Sequence, residues 1–123
     1  MKPGRGSVVV VELDPTMGHE RRGVRPSVLV GDPAVIRDQR FPLVCVVPIT
    51  GTAGEGLLYP PLAAGASGLA KPSCALIDHL RSVDKRRIRR VCGDLPEDEM
   101  AAIDEGMTAF LGLGRKEEAP RPT

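Results

Sequence analysis

The chain has 123 residues, of which 41% are hydrophobic and 27% are charged, as is ordinary for a soluble globular protein with one core. Its 17 basic and 16 acidic side chains leave a net charge of +1, so nucleic-acid binding would have to rest on local patches rather than on the whole molecule. Two Phe, one Tyr and no Trp argue against readers that stack several bases on aromatic rings, such as RRM-like and OB-type domains.

The chain divides into one domain and a short tail. We expect a single domain over residues 1–114 and a disordered tail over residues 115–123, where two prolines and mixed charges accumulate. No signal-peptide pattern precedes the first apolar run, and no apolar stretch reaches the length of a membrane span. Three widely spaced cysteines without a C-x-x-C pair, and only two histidines, predict buried, reduced thiols, no zinc site and no other cofactor in a cytoplasmic protein.

Three β-strands are predicted in the first half of the chain. Valine-rich runs predict strands at residues 7–13 and 26–31, the second begun by Pro26 and ended by the turn signal Gly31-Asp32-Pro33. A charged connection at residues 34–41 leads to a third strand at residues 42–50, which is apolar on both faces. Because proline cannot donate to a β-ladder, Pro48 predicts a bulge or an edge within this third strand.

Shorter strands and a terminal helix are predicted in the second half. A loop at residues 51–56 is followed by a short strand at 57–61 and a second loop at 62–72. A strand at 74–78 continues to residue 83. A helical turn at 85–89, capped by Asp84, and a last strand at 91–93 follow. A helix is expected to begin at Pro96 and end near Gly112, with a core stripe of Met100, Ile103, Met107 and Phe110. These elements predict a mainly β fold with a C-terminal helix, in the form of a small, strongly bent barrel.

The polar loop at residues 14–26 carries the strongest chemical signal. It brings His19, Glu20 and three arginines, Arg21, Arg22 and Arg25, between two apolar strands. Loops held by a rigid scaffold often carry function, and guanidinium groups suit an anionic, phosphate-bearing ligand. The alternative is a solvated connection whose arginines pair with Glu20 and Asp14.

Other candidate residues lie at strand ends and in a basic block. Asp78 directly follows the apolar run Ala75-Leu76-Ile77, so it is either a carboxylate held at a cleft or an outward-facing strand residue. Thr50 ends the third strand, where a threonine is also common without any function. The basic block at residues 85–90 is either a solvated face or a surface that attracts an anionic polymer. Signatures of P-loop proteins, G-x-S-x-G hydrolases and H-E-x-x-H metalloproteases are absent from the sequence.

Several segments in the same order resemble the MazF/PemK (Kid) toxins. They are Arg5-Gly6 before the first valine run, Leu13-Asp14-Pro15-Thr16 with Gly18-His19-Glu20, Gly23-Val24-Arg25-Pro26, Val47-Pro48-Ile49-Thr50 and Leu80-Arg81-Ser82-Val83-Asp84-Lys85. The resemblance implies a homodimeric SH3-like barrel of the CcdB/MazF type. It also implies a toxin of a type II toxin–antitoxin system that is neutralised by a cognate antitoxin, with which it binds DNA.

The activity implied by the resemblance is a metal-independent, sequence-selective endoribonuclease. Such an enzyme cuts single-stranded RNA through the RNA's own 2′-hydroxyl, leaves a 2′,3′-cyclic phosphate and a 5′-hydroxyl, and so arrests translation and growth. Alternatives on a similar barrel are a non-enzymatic gyrase poison like CcdB and a silent SH3-like binding module. The gyrase poisons depend on a C-terminal end that contains tryptophan, which this chain lacks.

The resemblance also implies roles for individual residues. Arg25 and Thr50 would hold the phosphate, His19 would transfer a proton, and Asp78 would act as base or position the RNA. Residues expected to bind RNA are Glu20, Arg21, Arg22, His79, Arg81, Lys85 and Arg86. Two positions depart from the family pattern: Leu76 stands where some members carry an arginine, and His79 stands where members usually carry glutamine. We therefore expect His79 to contact a base and to alter the cleavage motif.

Overall fold

The computed structural model describes residues 2–14, 17–20 and 23–114, and the elements below belong to this part of the chain. Its strands are β1 (Ser7–Glu12), β2 (Val24–Leu29), β3 (Leu43–Thr50), β4 (Pro61–Leu62), β5 (Ser73–Ala75), β6 (Arg81–Asp84) and β7 (Ile88–Asp94). Its α-helices are α1 (Pro33–Arg37) and α2 (Glu97–Leu111). Single turns of 3-10 helix cover Ile77–His79 and Lys85–Arg87. The tail predicted at residues 115–123 lies outside the described residues.

The strands form one antiparallel sheet in the order β4-β5-β3-β2-β1-β7, with β6 paired to β3 next to β5. The sheet curls into a half-barrel, and α2 follows at the end of the chain. The prediction of a mainly β, strongly bent fold with a C-terminal helix is therefore confirmed. None of the helices in the described residues combines the length and apolar character that crossing a membrane requires.

Both faces of the curled sheet are buried, which explains the unbroken valine run of β1. Successive residues of a strand point to opposite faces of the sheet. Val8 accordingly packs in one cluster with Val47 of β3 and Ile103 of α2. Val9 and Val11 pack in a second cluster on the other face. A strand covered on both faces has no solvated side, so it reads as a continuous apolar run instead of an alternating one.

The β2 strand and the connection after it differ from the prediction. β2 begins at Val24, and Pro26 lies inside the strand opposite Val10 of β1. The connection expected at residues 34–41 begins with helix α1, because the Asp32 side chain accepts a 2.7 Å hydrogen bond from the Ala34 amide. An Asp-Pro pair can open a turn or cap a helix, with proline at the first helical position. We predicted a turn followed by an irregular connection, which is wrong here, because the pair caps helix α1.

Pro48 is accommodated where β3 changes partners. β6 pairs with residues 43–46 of β3, whereas β5 pairs with Ile49 and Thr50. The Pro48 carbonyl accepts a 2.8 Å hydrogen bond from the Leu76 amide, so the backbone polar groups of Pro48 face Leu76, the first residue after β5. The missing proline N–H therefore costs no ladder hydrogen bond at this position.

The continuous strand predicted over residues 74–83 is wrong. β5 ends at Ala75, the turn Ile77–His79 follows, and β6 begins at Arg81. The short strand predicted at residues 57–61 is displaced to Pro61–Leu62, and the last strand is longer than predicted, over Ile88–Asp94. The capping role of Asp84 is confirmed, because its carboxylate accepts a 2.9 Å hydrogen bond from the Arg86 amide.

Helix α2 packs closely against the sheet through its middle. Ile103 is fully buried, and Met100 and Met107 are partly buried against the same cluster. Phe110 is 45% exposed, so its assignment to the core was wrong. Gly106, which the sequence did not single out, is buried; a β-carbon there would lie 2.6 Å from the Leu57 carbonyl oxygen. Gly112 ends the helix at φ +69°, in the left-handed region that glycine adopts without strain.

Candidate functional site

An open cleft of about 320 Å³ lies beside the turn between β5 and β6. Among the described residues, three separate segments line it: the loop between β1 and β2, the last part of β3, and the chain from the turn into β6. Its lining residues are His19, Glu20, Pro48, Asp78, His79, Leu80 and Arg81. Five residues that the sequence singled out therefore meet in one cleft, although they are far apart in the chain; Pro48 and Leu80 complete the walls.

The turn at residues 77–79 presents two of these side chains. Hydrogen bonds from the His79 amide to the Leu76 carbonyl (2.9 Å) and from the Leu80 amide to the Ile77 carbonyl (3.1 Å) close it. Ile77 is fully buried and anchors the turn in the core. Asp78 and His79 are thereby held at the surface of the cleft, a placement that an uninterrupted strand would not give them.

The Asp78 carboxylate has one partner on each oxygen. Oδ2 accepts a 2.7 Å hydrogen bond from the Tyr59 hydroxyl, and Oδ1 lies 3.8 Å from His79 Nε2. The hydrogen bond to Asp78 raises the pKa of Tyr59 above its ordinary value, because ionising the phenol would remove the donated proton beside a negative charge. The sequence analysis missed Tyr59, and the only signal available was that it is the single tyrosine of the chain.

Glu20 and Arg81 tie the loop after β1 to the start of β6. Arg81 Nη1 donates a 3.0 Å hydrogen bond to the Leu13 carbonyl and lies 3.9 Å from Glu20 Oε2. The other carboxylate oxygen of Glu20 accepts a 3.0 Å hydrogen bond from the Met17 amide. His19 is exposed on the same loop. These contacts place a cation beside a carboxylate, and His19 lines the same cleft.

Arg25 and Thr50 do not line the cleft, but the register of the sheet places them beside it. Ser27 of β2 is paired with Pro48 of β3, and Pro48 lines the cleft. Arg25 and Thr50 each lie two residues from that pair, on the same face of the sheet. A residue two positions along from a cross-strand pair lies about 7–8 Å from the pair's member on the other strand, a distance that a long side chain can span.

The basic block has structural partners away from the cleft. Lys85 Nζ donates hydrogen bonds to the carbonyls of Val35 (2.6 Å) and Asp38 (2.9 Å), at the end of α1. Arg86 pairs with Asp84 at 2.9 Å, and its hydrogen bonds lower the pKa of Asp84 to about 2. The expectation that Lys85 and Arg86 join the RNA-binding surface thus finds no support in their position. Arg21 and Arg22, also expected to bind RNA, lie outside the described residues.

Within residues 2–14, 17–20 and 23–114, no three side chains of His, Cys, Asp or Glu converge as a metal site would require. Cys74 is buried, whereas Cys45 and Cys92 are partly exposed. The expectation of three buried thiols is therefore correct only for Cys74. The chemistry that the cleft offers consists of imidazoles, carboxylates and guanidinium groups.

A curled half-barrel sheet followed by a C-terminal helix is also the fold of known bacterial toxins. Residues 4–111 match the family model of the "PemK-like, MazF-like toxin of type II toxin-antitoxin system". The match spans most of the chain, so the chain belongs to this family of toxins. The family resemblance inferred from the sequence motifs is confirmed.

Solved structures agree with this assignment. MazF from Deinococcus radiodurans is 26% identical, with a TM-score of 0.77 over 92% of this chain and 99% of that chain. A MazE–MazF complex from the same organism is 27% identical, with a TM-score of 0.72 over 93% of this chain and 99% of that chain. An endoribonuclease in complex with its cognate antitoxin, from a mycobacterial species, is 21% identical and shares the fold, with a TM-score of 0.73 over 93% and 99% of the two chains.

Proposed function

We propose that this toxin is a sequence-selective endoribonuclease that cuts single-stranded RNA without a metal ion and so arrests translation and growth. The observation that carries the proposal is the cleft itself, in which His19 of the loop after β1 meets Asp78 and Arg81 of the segment from the turn into β6. Membership of the toxin family supports it, as does the fold shared with a mycobacterial endoribonuclease. A cleft with cationic and proton-transferring side chains suits the cleavage of a phosphodiester.

The proposed reaction uses the 2′-hydroxyl of the RNA as the nucleophile. The 2′-oxygen loses its proton and attacks the adjacent phosphorus, while the bond from phosphorus to the 5′-oxygen of the next nucleotide breaks. The departing 5′-oxygen takes up a proton. The products are a 2′,3′-cyclic phosphate and a 5′-hydroxyl, so atoms and charge balance without water, metal or cofactor. The enzyme must accept one proton, supply one, and stabilise the added negative charge on the phosphoryl oxygens.

The two proton transfers fall to His19 and Asp78. Histidine is the side chain that titrates nearest neutral pH, so His19 can act as either acid or base. Asp78 is about one-third exposed and has its Oδ1 on the side of His79, where it can accept a proton or orient a hydroxyl. We leave open which of the two is the base, since the reaction requires only that they take opposite roles.

Arg25 and Thr50 stabilise the negative charge that develops on the phosphoryl oxygens. An arginine side chain stays protonated near neutral pH, so Arg25 serves as a clamp for phosphoryl oxygens and not as a base. Thr50 would donate a hydrogen bond to the same phosphate. Their place beside Pro48, on the face of the sheet that borders the cleft, supports both roles. Glu20, His79 and Arg81 line the cleft and are proposed RNA contacts.

We also propose two partners. A cognate antitoxin would occupy the same cleft and neutralise the toxin; the MazE–MazF complex of the Deinococcus relative supports this part of the proposal. A second copy of the chain would form a homodimer. Binding of the antitoxin and cleavage of RNA should therefore exclude one another.

The proposal is tested by incubating the purified protein with mixed RNA in EDTA and sequencing the new 5′ ends. We expect sharp 5′-hydroxyl ends at one short motif, and their loss in Arg25→Ala. Arg40→Ala is the matched control, because Arg40 is an exposed arginine that pairs with Asp38 and does not line the cleft. If wild type and Arg25→Ala both leave the RNA intact, the nuclease proposal is wrong. Inhibition of gyrase without RNA cleavage would then support the CcdB-like alternative, and neither activity would support a silent binding module.

A further inference from the structure

Tyr59 is held firmly against the segment that carries Asp78. The Leu58 carbonyl accepts a 3.0 Å hydrogen bond from the Ile77 amide, and the Pro60 carbonyl accepts a 3.1 Å hydrogen bond from the Ala75 amide. These bonds flank Tyr59 and extend the ladder between β4 and β5. The backbone of Tyr59 is therefore fixed by the sheet, although the residue lies at the end of a glycine-rich loop.

The side chain of Tyr59 reaches the site from outside the cleft. Tyr59 does not line the cleft, but its hydroxyl donates a 2.7 Å hydrogen bond to Asp78 Oδ2. Asp78 Oδ1 is thereby left on the side of His79 Nε2, at 3.8 Å. Tyrosine is protonated at neutral pH, and the pKa of Tyr59 is raised further above its ordinary value by Asp78, so the phenol remains a donor there. The last side-chain torsion of an aspartate is broad, and a single strong hydrogen bond is enough to select one orientation.

We propose that Tyr59 is a positioning residue, whose hydroxyl fixes the Asp78 carboxylate so that its second oxygen faces His79 and the RNA. This inference rests on the proposed nuclease function and extends it to a residue outside the cleft. Reactive groups must be held within a fraction of an ångström of the productive geometry, and their supporting hydrogen bonds provide that precision. Tyr59 also connects the glycine-rich loop after β3 to the reacting carboxylate.

The competing role for an exposed tyrosine is a platform on which a base stacks. Tyr59 is 38% exposed, which leaves its ring accessible for stacking. The two roles make different predictions for two substitutions. Tyr59→Phe keeps the ring and removes only the hydroxyl, whereas Tyr59→Leu removes both. Positioning depends on the hydroxyl and acts on turnover; stacking depends on the ring and acts on binding.

The test measures kcat and KM on an RNA oligonucleotide that contains the cleaved motif. It also measures the Kd of the same oligonucleotide with a 2′-deoxy nucleotide at the cleaved position. For Tyr59→Phe we expect kcat to fall about tenfold, equivalent to about 1.4 kcal/mol of transition-state stabilisation, with Kd unchanged within about twofold. In an Asp78→Asn background, Tyr59→Phe should cause little further loss, because the two groups act as one unit. Thermal unfolding checks that both variants remain folded.

A Tyr59→Phe variant with the kcat of wild type overturns the positioning role, and so does a full tenfold further loss in the Asp78→Asn background. Weak binding confined to Tyr59→Leu would assign Tyr59 to base stacking instead. These results leave the nuclease function standing. By contrast, a wild-type protein that cleaves no RNA refutes the nuclease function and the positioning role together.

Discussion

Gly106 couples the packing of α2 to the geometry of the cleft, and Gly106→Ala tests that coupling. A β-carbon at this position would lie 2.6 Å from the Leu57 carbonyl oxygen and 3.0 Å from Ile77 Cγ1. Leu57 precedes Tyr59 by two residues, and Ile77 opens the turn that carries Asp78. The added methyl group must therefore push the helix away from the two segments that hold the Tyr59–Asp78 hydrogen bond.

The sign of the stability change follows from two opposing contributions. Replacing glycine by alanine inside a helix stabilises it by about 1 kcal/mol. Overpacking a close-packed contact costs about 1–3 kcal/mol, and the cost here should lie in the upper part of that range, about 2–3 kcal/mol, because one of the atoms in the way is a backbone oxygen that cannot rotate aside. We therefore expect a net loss of roughly 1–2 kcal/mol, which corresponds to a fall in Tm of roughly 5 °C for a domain of this size.

The assay is urea unfolding of wild type and Gly106→Ala, with RNA cleavage measured on the same preparations. Gly31→Ala is the matched control, because a β-carbon at Gly31 meets nothing within 4 Å. The control should be neutral or slightly stabilising, since alanine restricts the unfolded chain. A Gly106→Ala protein as stable as wild type would refute the close-packing argument. Lost stability with unchanged kcat would refute the coupling to the cleft.

Three further predictions concern charged residues and specificity. Lys85→Met should destabilise the fold by about 1–2 kcal/mol in urea unfolding, because it removes the Lys85 hydrogen bonds to the carbonyls of Val35 and Asp38, of which the Asp38 carbonyl keeps the Phe41 amide as a donor, and it should leave the salt dependence of RNA binding unchanged. Asp84, whose folded pKa is about 2, should stabilise the fold above its unfolded pKa of about 4; Asp84→Asn should therefore lower the unfolding midpoint at pH 7, with the difference from wild type shrinking as pH falls toward 2. His79→Gln should change the motif at which mixed RNA is cut, and an identical cut-site profile would contradict the proposed base contact.

The elements that the sequence predicted correctly are those in which local pattern and tertiary environment agree. The valine run of β1 is continuous because both of its faces are buried, whereas Met100, Ile103 and Met107 recur at helical spacing on the face that α2 packs against the sheet. The break after Ala75 was not predictable in this way, because apolar residues continue through Leu76 and Ile77. It arises because β3 changes partners at Pro48, which is a property of the assembled sheet.

Some residues of the candidate site could be predicted from local sequence, and others depend on the assembled fold. The loop residues His19 and Glu20, and the segment from Asp78 to Arg81, were recognised by motif and meet in one cleft. The basic block was predicted to be either a solvated face or a surface that attracts RNA, and charge alone does not reveal that Lys85 bonds to α1 carbonyls. Tyr59 was missed because its contact with Asp78 depends on the pairing of β4 with β5, which no local pattern of the sequence encodes.

The central claim is that the RNA supplies its own nucleophile in the cleft between His19 and Asp78. The most direct test compares two oligonucleotides of the cleaved motif in EDTA, one all RNA and one with a single 2′-deoxy nucleotide before the scissile phosphate. We expect the first to be cut to a 2′,3′-cyclic phosphate and a 5′-hydroxyl, while the second binds equally well and stays intact. Cleavage of the 2′-deoxy oligonucleotide, or products that end in a 5′-phosphate, would contradict it.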